Sequence, residues 1–277
     1  MITTWNVDGF EPSKSVDLTK DLLNIEENPP PDLMIIGLQE IVDLKSIKNV
    51  MVPNNEKLTV TWQNFFLYQF KQKFMENYIF ISSKNLVGIL LMVFANERIK
   101  NRITKVEYDS VKCGVMNKLG NKGAIIIRFR LDDTSLCFVN CHLVAGHKKM
   151  DERVNNINDI HWKAFQKEGV GKKKEEKIEN VDYKFLFGDL NFRINLPNPD
   201  VRTTLEAFQY AVCKNDLMTG FELLKPLLEK DQLNMSRNVC EYLEKYQEGS
   251  IMFAPTYKYD VNTDVYDTSK KQRVPAW

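Results

Sequence analysis

Apolar runs alternate along the chain with amphipathic stretches, and this pattern predicts a mixture of strands and helices. Residues 33–38 are apolar at nearly every position, which is typical of a strand in a sheet that is covered on both faces. Residues 58–74 instead carry aromatic and aliphatic side chains at near-helical spacing, which predicts an amphipathic helix. The predicted strands are 2–7, 33–38, 78–81, 87–94, 101–108, 123–131, 135–143, 183–187 and 251–259. The predicted helices are 16–23, 58–74, 150–165, 201–210 and 221–228.

The order of these elements predicts the fold class. Strands dominate the middle of the chain, and helices lie at several places between them. Two sheets packed face to face with helices outside, an α+β sandwich, satisfy this pattern. No linker of low complexity divides the chain, so we expect one domain over residues 1–277.

Composition narrows the class of protein. The 277 residues are 43% hydrophobic and 27% charged, as in ordinary globular proteins. With 38 basic and 37 acidic residues the net charge is +1, which argues against binding nucleic acid through bulk charge. The longest apolar run, 86–95, is half as long as the ~20 residues of a membrane helix. The five cysteines have no paired spacing, so we expect free thiols and a cytoplasmic location.

Polar residues that could bind a metal or act in catalysis lie at or just after the ends of several predicted strands. They are Asn6, Glu40, Asn140, His142, Asp189 and Asn191. Carboxylates, amides and an imidazole form the oxygen-rich set that suits Mg²⁺, and a remaining carboxylate can orient an attacking water. Taken singly, each residue is better explained as a helix cap, a turn residue or a core histidine. The joint pattern favours a site.

Longer motifs carry a resemblance to a known family. The chain contains Trp-Asn-Val at 5–7, Gln-Glu at 39–40, Asn-Cys-His-Leu at 140–143, Gly-Asp-Leu-Asn-Phe-Arg at 188–193, Pro-Thr-Tyr-Lys-Tyr-Asp at 255–260 and Lys-Gln-Arg-Val-Pro-Ala-Trp at 271–277. In this order they resemble the inositol polyphosphate 5-phosphatases, and residues 117–123 look like the same family's loop before a central strand. The Gly-Asp-Leu-Asn motif alone would indicate only the wider superfamily of DNase I-like nucleases and phosphatases.

The resemblance implies a four-layer αββα sandwich with the active site at one edge of the two sheets. It also implies Mg²⁺-dependent removal of the 5-phosphate from phosphoinositides, such as phosphatidylinositol 4,5-bisphosphate, or from soluble inositol polyphosphates. The expected partners are therefore a phosphorylated inositol headgroup and, for lipid substrates, a membrane surface on which the protein is peripheral. Nucleic acid is not expected.

The matching motifs assign roles to individual residues. Asn6 and Glu40 match metal-binding residues, and His142 matches a histidine that contacts the scissile phosphate. Asp189 matches the aspartate that activates or orients water, and Asn191 an asparagine that holds phosphate. The residues that match the grip on the neighbouring 4-phosphate are Tyr257, Lys258, Lys271 and Arg273. Asn140 is predicted to bind substrate phosphate as well.

The end of the chain differs from the family pattern, and this leaves alternatives open. In the family, Pro-Ala-Trp is followed by Cys-Asp-Arg and later by Ser-Asp-His, whereas this sequence stops at Trp277. We expect a fragment that lacks the closing segment, with doubtful activity on its own. The alternatives are an inactive phosphoinositide-binding or scaffold domain and a metal-dependent nuclease on the same scaffold, which the near-neutral charge disfavours.

Overall fold

A computed structural model describes residues 1–12, 30–42, 56–74, 77–113, 121–166 and 178–277. The predicted helix at 16–23 and most of the predicted loop at 117–123 lie outside the described residues. The chain forms two compact units: one comprises Met1–Val144 and Asp159–Leu190, and the other comprises Ala145–Asn158 and Asn191–Trp277.

The first unit contains two four-stranded sheets. Its strands are β1 (Ile2–Asn6), β2 (Leu33–Gln39), β3 (Tyr78–Leu86), β4 (Ile89–Asn96), β5 (Ile103–Lys112), β6 (Gly123–Leu131), β7 (Thr134–His142) and β8 (Tyr183–Asp189). The strand orders are β1-β2-β4-β3 and β5-β6-β7-β8. Each sheet has one parallel pair, β1 with β2 and β7 with β8, and the other pairs are antiparallel. The carboxyl ends of two strands therefore meet at one edge of each sheet.

Apolar packing on both faces explains the nearly continuous hydrophobicity of β2. Ile35 packs with Ile125 and Ile127 in the core between the two sheets. Met34 and Ile36 point to the opposite face, where they pack with the aromatic residues of helix α1 (Glu56–Lys73). Successive side chains of a strand alternate between faces, so both faces of this strand must be apolar. The arrangement agrees with the predicted α+β sandwich.

Helix α1 covers the outer face of the first sheet through a stripe of aromatic residues. Trp62, Phe66 and Phe70 recur every four residues, and each is at most 1% exposed. The rings of Trp62 and Phe66 are stacked at 5.9 Å, and Phe70 meets Phe94 of β4 edge-on at 5.3 Å. Burial of side chains of this size stabilises a fold by about 1.5–3 kcal/mol each. Within the described residues, no helix combines the length and the hydrophobicity that crossing a bilayer requires.

The second unit is mainly helical. Its helices are α3 (Asn198–Cys213), α4 (Leu217–Glu229), α5 (Gln232–Arg237) and α6 (Glu241–Glu244), while α2 (Met150–Lys163) supplies residues to both units. Its core forms where Leu205 and Phe208 of α3 pack with Leu224 and Leu227 of α4. The two short helices α5 and α6 were not predicted, because six and four residues give too little periodicity to recognise.

The strand predicted at 251–259 is wrong. Only two isolated bridges involve this segment, Tyr257 with Ala276 and Tyr259 with Tyr266. Pro255 has no amide hydrogen to donate to a ladder, and its carbonyl accepts hydrogen bonds from the hydroxyls of Tyr259 and Tyr266, at 3.0 and 2.8 Å. The alternating aromatic residues therefore serve to pack and pin an irregular segment rather than a strand.

A buried helix cap in the second unit makes stability depend on pH. Asp231 caps α5, with Oδ1 accepting from the amides of Leu233 and Asn234 at 2.8 and 3.2 Å. Burial raises the pKa of Asp231 to about 6, although these hydrogen bonds oppose the rise. An unfolded aspartate titrates near ~4, so the carboxyl's contribution to the free energy of unfolding falls as pH rises from ~4 to ~6.

We predict that Asp231→Asn stabilises the protein above pH ~6 and loses this advantage near pH ~4, because asparagine caps equally well without ionising. Chemical denaturation at several pH values measures this. Asp216→Asn is the matched control: Asp216 caps α4 from an exposed position, and hydrogen bonds from Thr219 lower its pKa. This variant should lose stability at neutral pH. An Asp231→Asn curve parallel to wild type would contradict the prediction.

Candidate active site

Four strand ends of the first unit bring four polar side chains to one place. Asn6 ends β1 and Glu40 directly follows β2, and the parallel register pairs Asn6 with Gln39. His142 and Asp189 end β7 and β8, and the register pairs them with each other. The structure therefore brings together four residues that the sequence singled out.

Asn6 and His142 each lie within hydrogen-bonding or ion-pairing distance of both carboxylates. Asn6 Nδ2 donates to Glu40 Oε1 at 3.2 Å and to Asp189 Oδ2 at 2.9 Å. His142 Nε2 lies 3.6 Å from Glu40 Oε1 and 3.4 Å from Asp189 Oδ2. The two carboxylates are 27% and 26% exposed, whereas His142 is 1% exposed. A solute can thus reach the carboxylates, while the imidazole forms the floor of the cluster.

The backbone around the cluster is specialised. Glu40 has a φ of 54°, in the left-handed region that residues other than glycine seldom adopt. Its carbonyl accepts a hydrogen bond from the amide of Gly9 at 2.8 Å, which helps to hold this conformation. Gly188 has a φ of 123°, and a Cβ there would lie 2.1 Å from the carbonyl oxygen of Cys141. Only glycine lets β8 approach β7 this closely, directly before Asp189.

Positive and polar neighbours keep Asp189 ionised. Burial alone raises the pKa of Asp189, but hydrogen bonds from His142 and Asn6 and the charges of His142 and Lys122 outweigh burial and hold the pKa well below its usual value. The Lys122 ammonium also contacts His142 Nε2.

No role was predicted for Lys122 from the sequence. Lys122 directly precedes Gly123, which pairs with His142 in the ladder of β6 and β7. The register of these two strands was therefore the signal that could have placed Lys122 at the site.

The donor set suits a divalent cation. One ligand atom from each of Glu40, His142 and Asp189 lies within 4.8 Å of the others. Two carboxylates are what Mg²⁺ or Ca²⁺ prefers. The amide of Asn6 turns Nδ2 toward the carboxylates, and its Oδ1 accepts from the Asp8 amide at 3.1 Å. Asn6 would have to turn its amide over to act as a ligand, so its predicted role requires that rotation.

Asn140 does not fit its predicted role as a phosphate-binding residue. It is 0% exposed. Its Oδ1 accepts from Gln39 Nε2 at 2.7 Å, and its Nδ2 donates to the carbonyls of Leu90 and Leu38 at 2.9 and 3.3 Å. Both ends of the amide are engaged inside the protein, so this side chain is not presented to a substrate.

The second unit holds the other predicted residues, and two of them share a partner. Arg193 Nη2 donates to Asn191 Oδ1 at 2.5 Å. The guanidinium of Arg193 lies over the ring of Tyr257, 4.1 Å from its centroid. Arg193 lies inside the Gly-Asp-Leu-Asn-Phe-Arg motif, but the sequence analysis gave it no role. It connects two predicted phosphate-binding residues that are far apart in sequence.

Asp267 organises the remaining predicted cations. Its Oδ2 accepts from the amide of Arg273 at 2.8 Å and from Arg273 Nη1 at 3.3 Å. Its own amide donates to the carbonyl of Lys258 at 2.9 Å. Hydrogen bonds from Arg273 and Ser269 hold the pKa of Asp267 far below its usual value despite burial. Lys271 is exposed on the intervening loop.

Comparisons with known proteins agree with this geometry. Residues 3–277 match the endonuclease/exonuclease/phosphatase family 2. The whole chain is 32% identical to type IV inositol polyphosphate 5-phosphatase 9 of Arabidopsis thaliana and covers 68% of that protein. The chain belongs to the inositol polyphosphate 5-phosphatases. It is also 34% identical to phosphatidylinositol 4,5-bisphosphate 5-phosphatase A of Mus musculus, but it spans only 25% of that longer 5-phosphatase.

Solved structures confirm the fold of this 5-phosphatase chain. The inositol polyphosphate 5-phosphatase domain of a synaptojanin, solved with inositol (1,4)-bisphosphate and a calcium ion, matches with a TM-score of 0.79 at 33% identity. The match covers 100% of this chain and 73% of that domain. A Cimex nitrophorin shares the fold at 18% identity, with a TM-score of 0.66. The predicted sandwich of two sheets with flanking helices is therefore confirmed.

We predict that Glu40→Gln weakens Mg²⁺ binding by roughly tenfold or more, because loss of a ligand should cost at least as much as loss of an outer-shell partner. Isothermal titration calorimetry with Mg²⁺ alone measures this. Glu222→Gln is the control, since Glu222 forms an exposed pair with Lys225 in the second unit. Equal affinities in Glu40→Gln and wild type would remove Glu40 from the metal site.

Proposed function

We propose that the protein is a Mg²⁺-dependent phosphomonoester hydrolase. It removes the 5-phosphate from phosphoinositides such as phosphatidylinositol 4,5-bisphosphate, or from soluble inositol polyphosphates. The observation that carries the proposal is the cluster of Glu40, Asp189 and His142, with ligand atoms within 4.8 Å, in a chain of the 5-phosphatase family. A cytoplasmic protein that is peripheral on membranes while it acts on lipid would meet these substrates.

Residues of the first unit would hold the cation. Glu40 and Asp189 offer neighbouring carboxylates, and Asn6, which now donates to both, would join them as a ligand once its amide turns. A bound divalent cation would polarise the phosphoryl oxygens and neutralise part of their charge. Mg²⁺ in particular suits a site with few protein ligands, because it keeps waters and takes substrate phosphate oxygens.

Asp189 would orient the attacking water. Its low pKa keeps the carboxylate ionised at neutral pH, so it accepts a hydrogen bond strongly but takes up a proton poorly. When Asn6 turns its oxygen toward the cation, His142 remains the donor that holds the Asp189 carboxylate from the protein side. Precise placement of the water is therefore the contribution that this geometry supports.

Positive charge would stabilise the scissile phosphate. The Lys122 ammonium sits against His142 Nε2, next to both carboxylates. Charge-assisted hydrogen bonds to phosphate are about twice as strong as neutral ones, and a donor that is already in position needs no reorganisation during the reaction. Lys122 and His142 would share this role.

Residues of the second unit would recognise a neighbouring phosphate. Asp267 orients the guanidinium of Arg273, Arg193 holds Asn191 and the ring of Tyr257 in place, and the ammonium of exposed Lys271 would contribute as a point charge. The set proposed to hold substrate phosphates is Asn191, Tyr257, Lys258, Lys271 and Arg273.

Asp189→Asn should lower kcat by roughly 10²-fold or more with little change in KM, because misplacing a reacting group by about 1 Å costs about this much. Phosphate release from vesicles that contain phosphatidylinositol 4,5-bisphosphate, with and without Mg²⁺, measures both constants. Asp151→Asn, in the exposed first turn of α2, is the control. A higher KM with normal kcat would make Asp189 a recognition residue.

The same vesicle assay separates the proposed function from its alternatives. Binding of wild type to vesicles without turnover would favour the inactive binding domain, and nicking of plasmid DNA would favour the nuclease.

Lys271→Ala should lower kcat/KM for the 4,5-bisphosphate by roughly ten- to a hundredfold, the equivalent of one charge-assisted hydrogen bond. It should hardly affect a 5-phosphate substrate that lacks the 4-phosphate. Lys270→Ala, the neighbouring exposed lysine, is the matched control. Equal losses on both substrates would mean that Lys271 serves the scissile phosphate or the fold.

A further inference from the structure

A pair of buried amides crosses the core between the two sheets. Gln39 of β2 and Asn140 of β7 are 1% and 0% exposed, and Gln39 Nε2 donates to Asn140 Oδ1 at 2.7 Å. Asn140 Nδ2 donates in turn to the carbonyls of Leu90 and Leu38 in the opposite sheet. Elsewhere the facing surfaces of the sheets meet through aliphatic and aromatic side chains. This pair therefore adds directional contacts inside a core that its apolar side chains hold by non-directional packing.

The amide pair touches every strand that carries a site residue. Gln39 directly precedes Glu40, and its Nε2 also donates to Thr4 Oγ1 at 3.0 Å, two residues before Asn6 on β1. Asn140 lies two residues before His142 on β7. A Cβ on Gly188, the residue before Asp189, would lie 2.8 Å from Asn140 Oδ1. Gln39 and Asn140 thus belong to, or contact, all four strands whose ends carry the site residues.

The Asn140 amide of this pair is closely packed against its neighbours. A Cβ on Gly37 would lie 2.8 Å from Asn140 Cγ and 2.6 Å from the ring of Phe187. Two glycines, one in each sheet, therefore provide the space that the Asn140 amide occupies. A slip of either sheet would separate the amides from their acceptors, and buried amides without partners are costly.

Stability alone is a poor explanation for this arrangement. Apolar side chains of similar shape can replace a buried polar pair with little loss, or even a gain, in stability. What apolar packing lacks is a single preferred alignment, which a fully satisfied polar network supplies. Alignment matters here because the contacts among Asn6, Glu40, His142 and Asp189 span only 2.9–3.6 Å.

We propose that Gln39 and Asn140 are positioning residues that set the separation of Glu40 from His142 and Asp189 across the two sheets. The pair acts on the cation site through the strand ends and touches neither cation nor substrate. The inference rests on the proposed function for the identity of the cation, and on the geometry alone for the alignment.

Three variants test the proposal. Asn140→Ala removes the pair and takes from Gln39 its acceptor in the opposite sheet. Gln39→Met with Asn140→Leu replaces both amides by apolar side chains of similar size. Phe129→Leu is the control: Phe129 lies in the same inter-sheet core, but it pairs with Leu136, toward the end of β7 opposite His142.

Each variant is measured in three ways: thermal melting, Mg²⁺ affinity by calorimetry, and the imidazole ¹⁵N signals of His142, one of three histidines. We expect Asn140→Ala to melt earlier, to lose roughly 10–100-fold in Mg²⁺ affinity and to shift the His142 signals. The double variant should recover most of the melting temperature but neither of the other two properties. Phe129→Leu should melt earlier with both properties unchanged.

Two results would overturn the proposal. One is a double variant with wild-type Mg²⁺ affinity and wild-type His142 signals, which would make the pair merely structural. The other is a Phe129→Leu variant that loses Mg²⁺ affinity as much as Asn140→Ala, which would trace the effect to general loosening. If wild type binds no Mg²⁺, the proposed function fails, and the His142 signals alone then decide the alignment: a shift in both amide variants but not in Phe129→Leu supports it, and no shift refutes it.

Discussion

The active site depends on the parallel pairing of two strands at one edge of each sheet. In an antiparallel pair the carboxyl ends lie at opposite edges, whereas β1 and β2, like β7 and β8, end side by side. Asn6 thereby meets Glu40, and His142 meets Asp189. Face-to-face packing of the two sheets then brings these two pairs together, with the Asn6 amide bonded to a carboxylate from each sheet.

This convergence creates an electrostatic problem that the site resolves locally. Two carboxylates that share one donor would ordinarily repel each other, and the pKa of one of them would rise. The pKa of Asp189 is instead low, because His142, Asn6 and Lys122 surround it with donors and positive charge. In the proposed enzyme, the site would therefore hold negative charge for a cation and positive charge for a phosphate before either binds, so little reorganisation would remain for the reaction.

The sequence predicted most strands and the convergence of the site residues, because both follow from local patterns. The role of Asn140, by contrast, could not be predicted from local patterns. The period of two correctly places Asn140 and His142 on the same side of β7. Only His142, the last residue of the strand, contacts the carboxylates of the cluster, however, and the Asn140 amide is hydrogen-bonded between the sheets. The strand prediction for residues 251–259 was wrong for a related reason. Their alternating aromatic side chains pack around Pro255 and do not belong to a β-ladder. The position of Lys122 at the site depends on the register of β6 and β7, which no local sequence pattern reveals.

Arg273 and Lys271 of the second unit are held differently, and this difference predicts different roles in phosphate recognition. Asp267 fixes the Arg273 guanidinium through Nη1, so its remaining donors point in set directions, but the carboxylate also cancels part of its charge. Lys271 has an exposed side chain on a loop whose backbone amides donate to the side chains of Asp267 and Ser269. Exposed charges are screened by salt far more than partly buried ones. In the proposed enzyme, Arg273 therefore supplies the geometry of phosphate recognition, whereas Lys271 supplies attraction, and the ionic-strength dependence of substrate capture should follow Lys271.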